Sequence, residues 1–149
     1  MNIEKTVRDY LPQVIHLSLA TCAADKPWVC EVHYTYDDEL NLYFRSKPQR
    51  RHSIEIETNP HVAGNMVTQH FLNQKVRGVY FEGTAECLTG VDANHPSYTT
   101  WCERFGGDES LLEEAKEETG HHFYKITVNN FVVFDGYDGP SAKHELVWK

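Results

Sequence analysis

Between Leu40 and Pro60 the chain reads LNLYFRSKPQRRHSIEIETNP, and its hydrophobic period changes partway along, which constrains the fold more than any other feature of the sequence. Leu40, Leu42 and Phe44 alternate with Asn41, Tyr43 and Arg45, the period-two pattern of a half-buried strand. The alternation then stops. Ser46 and Gln49 have the spacing of a capping box and Pro48 suits a first helical turn, so a helix is predicted to begin there. Asn59-Pro60 ends it, because a residue before proline is pushed out of the helical region. The run Ser53 to Glu57 also alternates, so a second strand is the competing reading of the same residues. A helix start exposes free N–H groups and a positive dipole end, which favour an anion. Arg45, Lys47, Arg50, Arg51 and His52 crowd that end, five donors in eight positions, within a chain of formal net charge -8. Together they describe a phosphate-shaped turn, with a merely solvated basic turn as the bland alternative.

The remaining composition bounds what such a turn could serve. A chain of 149 residues, 40% hydrophobic and 12% aromatic, has the length and apolar content of a single domain with its own core. The acidic balance, with a pI near 5.5, argues against nucleic-acid binding, which relies on basic surface to displace counterions. No apolar run is long enough to span a bilayer, and MNIEKTVRDYL carries charges where a signal peptide is apolar, so a cytoplasmic protein with no membrane partner is expected. Cys22, Cys30, Cys87 and Cys102 lack C-x-x-C spacing and read as reduced apolar fillers. His121-His122 invites a metal, but neighbours on a strand point to opposite faces, so no metal site is assigned. There is no G-x-G-x-x-G, G-x-x-x-x-G-K-[ST], G-x-S-x-G or H-E-x-x-H, which leaves nucleotide-fold, hydrolase and zincin readings without support. The carboxylates between Glu113 and Glu118 read as the solvated face of a helix.

Along the chain, Ile3 to Leu11 is predicted as an amphipathic helix capped by Asn2. Val14–Cys22 and Trp28–Tyr36 read as strands joined by the turn at residues 24–27, and Asp37-Asp38-Glu39 turns into the third strand. Val62–Thr68 and Val76–Leu88 follow as strands, separated by a polar loop. Residues 92–119 change character: Asp92 is placed as the cap of one helix carrying Trp101 and Phe105, Gly106-Gly107 break it, and Asp108 caps another. Phe123–Val128 and Phe131–Phe134 return to strand with Asn129-Asn130 as a turn. Strands in mostly local order with helices between them predict a mainly β protein, a closed antiparallel barrel with peripheral helices.

The segments LSLATCAADKPWVCEVHYTYDDELNLYFRSKPQRRHSIEIETNPHVAGNMV, GVYFEGTAECL and YKITVNNFVVFDG, taken in order over residues 14 to 136, resemble the FMN-binding split-barrel family that includes pyridoxamine 5'-phosphate oxidase. The resemblance implies a six-stranded antiparallel Greek-key split barrel that forms a homodimer, with one FMN in each of two clefts between subunits. Carried over by position, it places the flavin phosphate on Ser46, Arg51 and His52, with Arg45 a further candidate and Arg50 beside it. It lays the ring along the backbone of Glu31, Val32, His33 and Tyr34. It brings Gln69 and Gln74 to the flavin from around the partner's loop, and Trp148 near the C-terminus to the ring or the dimer contact. Gly83 fits either a close backbone approach or a bulge.

In flavoproteins of this kind the cofactor carries the chemistry, so no catalytic triad or acid pair is expected. The chain departs from true pyridoxamine phosphate oxidases in its C-terminal run, residues 143–149, which holds no arginine to grip a substrate phosphate. The reading is therefore an FMN-dependent oxidoreductase passing electrons between a reduced donor and a small planar acceptor. The alternative is a carrier or sensor module that binds flavin or haem without turnover, with His16, His70 and His144 the first residues to suspect as haem ligands. The helical segment at 92–119 either roofs the cleft or caps the barrel end.

Overall fold

A computed structural model describes residues 2–136 and 143–148, so Lys149 of the C-terminal run lies outside the described residues. The chain runs α1 (Ile3–Tyr10), a 3-10 turn (Leu11–Gln13), β1 (His16–Ala23), β2 (Lys26–His33), β3 (Thr35–Tyr36), β4 (Leu42–Ser46), α2 (Arg51–Thr58), β5 (His61–Val67), β6 (Arg77–Cys87), α3 (Pro96–Phe105), α4 (Ser110–Glu114), β7 (His122–Asp135) and β8 (Lys143–Val147). All the strand pairs are antiparallel, in the order β2-β1-β5-β6-β7-β4-β3, with β8 added on β7. Strand β2, at one end of that path, approaches β4, next to the other end, without pairing, which leaves the sheet curled but split. The fold class is as expected. Among the described residues the strands number eight rather than the six the resemblance implies: the Trp28–Tyr36 run divides into β2 and β3, Phe123–Val128 and Phe131–Phe134 merge into β7, and β8 was not predicted.

The curl is filled by inward side chains of most elements: Leu17 and Leu19 from β1, Leu42 and Phe44 from β4, Val79 and Phe81 from β6, and Ile126, Val128 and Phe131 from β7, all nearly inaccessible. Phe44 stacks on Tyr124 at 4.9 Å between ring centroids. Helix α1 plugs one end through Val7 and Tyr10, its N-terminus capped by Asn2 as predicted, and the Tyr10 hydroxyl donates to the Arg77 carbonyl at 2.7 Å.

Two local expectations are corrected. Asn129-Asn130 makes no turn, and β7 runs unbroken for 14 residues. Its register against β6 shifts so that Glu82 faces Asn130 and Gly83 faces Val128, which leaves Asn129 as the extra residue of a β-bulge. A Cβ on Gly83 would lie 2.3 Å from the Thr127 carbonyl, so the glycine serves the bulge. The helix predicted from Ser46 begins five residues later, at Arg51. Residues 47–50 form a turn closed by Arg50 N–H to the Lys47 carbonyl, and Ser46 remains the last residue of β4, too far back to cap.

Candidate functional site

Where β4 hands over to α2, a cleft of about 640 Å³ opens against the edge strand β2. Its lining joins Trp28 and residues 30–33 of β2, residues 45–47 and 50–52 of the turn, Trp101 of α3, and His121 just before β7. The delayed helix start matters here. Arg50 occupies the N-cap position in extended conformation and offers no side-chain cap, so the first-turn N–H groups of α2 stay open to a ligand at the positive end of the dipole.

The cations of the turn are placed differently from one another. Among the described residues, Lys47 and Arg50 form no ion pair. The Nε of Arg51 donates to Glu55 Oε1 at 3.3 Å while its guanidinium lies over the Trp28 ring, 4.2 Å from the centroid. Arg45 is the opposite case. Its side chain is only 10% exposed, Nη2 donates to Glu114 Oε2 at 2.8 Å, and the guanidinium sits between the rings of Phe123 (5.3 Å) and Trp101 (5.7 Å). Its Nε is buried with no acceptor among the described residues. A buried N–H left unpaired is costly, and this one stands in the wall of the cleft.

Ser46 and His52 are both buried and joined, Oγ to Nε2, at 2.7 Å, and the Ser53 hydroxyl donates to Ser46 Oγ at 3.3 Å. Burial, followed by the positive charge of Arg50, holds His52 below the ordinary histidine value, so its imidazole is neutral near pH 7. With the proton on Nε2, His52 donates to Ser46 and frees the serine hydroxyl to donate outward.

At the other end of the cleft, His33 packs on Phe105 at 5.3 Å and Phe105 on Trp101 at 4.7 Å. The helix carrying both aromatics is fastened to the barrel by Arg104, whose guanidinium donates to the carbonyls of Tyr34, Leu11 and Val14 at 3.2, 3.1 and 2.6 Å. Glu114 ties α4 to the same wall, accepting from Arg45 and, through Oε1, bonding His121 Nδ1 at 2.7 Å. The His121 hydrogen bond is the largest influence pulling the Glu114 carboxyl down to about 2. The segment between β6 and β7 thus contributes to the cleft wall. The predicted caps shift within it: His95 caps α3, and Asp92 and Asp108 bond the backbone of Asn94 and Ser110 ahead of the two helices.

Of the residues singled out from the sequence, Glu31, Val32, His33, Arg45, Ser46, Arg51 and His52 line this one cleft. Glu31 is also held by the Ser18 hydroxyl across the β1–β2 pair. Tyr34 turns inward, wholly buried, with its hydroxyl on the Leu11 carbonyl. Gln69 and Gln74 border a different groove, beside Tyr10 and His70. Trp148 lies elsewhere again, its Nε1 donating to the Glu39 carbonyl at 2.8 Å beneath Arg8. Trp101 lines the cleft from the helical segment expected either to roof it or to cap the barrel end, whereas sequence reasoning missed Trp28 and His121 as lining residues, and Glu55 as a partner of Arg51. For Glu55 a signal was present, since residues four apart on a helix face each other. For the others no local pattern announces the contact. Among the described residues no group of three or more His, Cys, Asp or Glu side chains is arranged to hold a metal, and no helix is long and apolar enough to cross a membrane.

The chain is thus a split antiparallel barrel with a cationic cleft at its β4–α2 turn. Residues 3–133 match the family model described as pyridoxamine 5'-phosphate oxidase, and the chain belongs to that family. It is 27% identical over 100 residues to a UPF0306 protein of Photorhabdus laumondii, covering 66% of this chain and 69% of that one. Among solved structures it is similar to the heme storage protein HutZ from Vibrio cholerae (TM-score 0.65, 17% identity, 99% of this chain and 95% of that one). It is also similar to an FAD-binding protein from Mesorhizobium loti (TM-score 0.66, 20% identity, 86% and 89%).

Proposed function

We propose that this chain is a cytoplasmic FMN-binding flavoprotein, and that it acts as an oxidoreductase between a reduced donor and a small conjugated acceptor. The observation that carries the reading is the phosphate end of the cleft. There a helix N-terminus with no side-chain cap, two cations that form no ion pair among the described residues, the Arg51 fork and the Ser46–His52 pair converge beside the edge strand β2. An arginine fork donates two parallel charge-assisted bonds to a phosphate, and a hydroxyl adds a neutral one. Arg51, Ser46 and the α2 N–H groups would hold the phosphate, with Lys47 and Arg50 closing over it. The backbone of residues 31–33 and the His33–Phe105–Trp101 aromatics would flank a flat ring.

Bound FMN would supply the electron transfer, and this chain's part would be orientation, shielding from water and the field around the ring. A homodimer belongs to the proposal: Gln69, Gln74 and Trp148 stand outside their own protomer's cleft, so any contact they make with a flavin there must come from a second copy. A visible spectrum of the native protein tests the reading directly. Flavin absorption supports it, and a colourless protein that takes up no FMN on titration sinks it.

A haem-binding role is the second reading, favoured by the likeness to HutZ and by His33 and His121 in the cleft wall. His16, His70 and His144 do not converge on that wall: His70 borders the groove of Gln69, and His144 a third groove on the β5–β8 side. A Soret band in place of flavin absorption would decide for haem.

A further inference from the structure

We propose that Glu55 and Trp28 are positioning residues that hold the Arg51 guanidinium in the orientation that reads a phosphate. The inference rests on the FMN reading of the cleft and concerns how its key cation is set.

Arg51 begins α2, and Glu55 follows one helical turn later. The arginine side chain is 48% exposed and the glutamate 8%. Such asymmetry is unusual for a pair of residues four apart, which ordinarily both lie in solvent and contribute little. A carboxylate buried where α2 packs on β1 is costly, and for stability alone an apolar side chain would serve as well or better. What Glu55 does instead is accept the Arg51 Nε proton on Oε1, while Oε2 receives the Thr21 hydroxyl of β1 at 3.5 Å. Trp28, from β2, supplies a flat face 4.2 Å beneath the guanidinium.

With Nε engaged and one face stacked, the guanidinium plane is fixed by two different elements. Nη1 and Nη2 have no acceptor among the described residues and are the two donors left to face the cleft. An arginine so set does not have to surrender rotamer freedom when the anion arrives, which is where preorganised sites gain affinity. The Glu55 charge opposes an incoming phosphate, but it is buried and does not line the cleft, whereas Lys47 and Arg50 do. Arg45 shows the alternative arrangement, in which the carboxylate takes an Nη donor and the guanidinium is buried between two rings in the wall.

The test compares FMN with riboflavin, which lacks the phosphate, by fluorescence titration of both flavins. Glu55→Met should weaken FMN about tenfold, the loss of one charged orienting bond, and leave riboflavin within about twofold. Glu55→Gln, which keeps one acceptor oxygen, should lose about threefold on FMN alone, as should Trp28→Leu, which removes the stacking face. In an Arg51→Ala background none of these should have further effect. Equal losses on FMN and riboflavin, an effect that persists without Arg51, or an unchanged FMN-to-riboflavin ratio in all three variants would overturn the proposal. Should Glu55→Met fail to fold, Glu55→Gln and Trp28→Leu decide it by the same ratio. If the wild type takes up neither flavin, the FMN reading falls by itself. The variants are then titrated with inorganic phosphate by 31P line broadening, where losses confined to proteins retaining Arg51 support the positioning role and none in any variant overturns it.

Discussion

The two ends of the cleft use the same residue type for opposite purposes. At the α3 end, Arg45 and Arg104 are built into the wall: one is sandwiched between aromatic rings and tied to Glu114, with its Nε unpaired among the described residues, and the other donates to three carbonyls. At the α2 end, Lys47 and Arg50 have no ion pair among the described residues, and Arg51 is held at Nε and by the Trp28 ring with its Nη groups unpaired there. The arginines that build the wall are held in place by several partners within the protein, and those proposed to read a ligand keep their Nη donors open among the described residues. Charge alone does not separate the two. An inventory of partners does.

The sharpest way to break that contrast is Arg51→Ala, which should weaken FMN binding by about 2–4 kcal/mol while the fold is retained. A titration showing unchanged affinity removes Arg51 from the site. Next, Arg104→Ala should leave three carbonyls short of a donor and cost about 2–3 kcal/mol in urea unfolding. A variant as stable as wild type would mean that α3 needs no such fastening.

A smaller effect is expected from acid. The Glu114 carboxyl, lying near 2 in the folded protein against 4.5 for a free one, stabilises the fold at pH values above about 4.5, and that contribution is lost as pH falls toward 2. Glu114→Gln should therefore flatten the pH dependence of stability in this window. Identical curves for the two proteins would detach α4 from the wall. Smallest is the His52 effect. Its depressed value means that the unfolded chain binds the proton more readily, so its contribution is full above pH 6.5 and declines as pH falls below. A phosphate beside it should offset that decline, so stability with FMN bound should fall less on the acid side than stability without.

Much of this was legible in the chain. The alternation of Leu42 and Phe44, the β-rich runs and the break at Asn59-Pro60 are local signals, and the structure follows them within a few residues. The turn's cations could be read as a cluster because they are neighbours in sequence. What could not be read was which of them keep free donors, since that depends on Glu114, Trp101 and Trp28, far from the turn along the chain. The capping box at Ser46 had the right spacing, but the side chain serves His52 instead. Asn129-Asn130 has the composition of a turn, and the pairing of β7 with β6 overrides it. Strand β8 alternates its burial only weakly and gained its place by docking on the outer part of β7.

Strand β7 pairs with β6, β4 and β8, and its partnership with β4 joins Leu42–Ser46 to residues 122–126. Such distant pairing carries a large loop-closure cost and slows folding. On the ribosome, every cation of the turn is made long before the strand that seats it. Until β7 emerges, the nascent chain carries the basic turn with no β7 partner for β4. Capture of the proposed ligand should therefore be a late event in the life of each new molecule, following the completion of the sheet rather than guiding it.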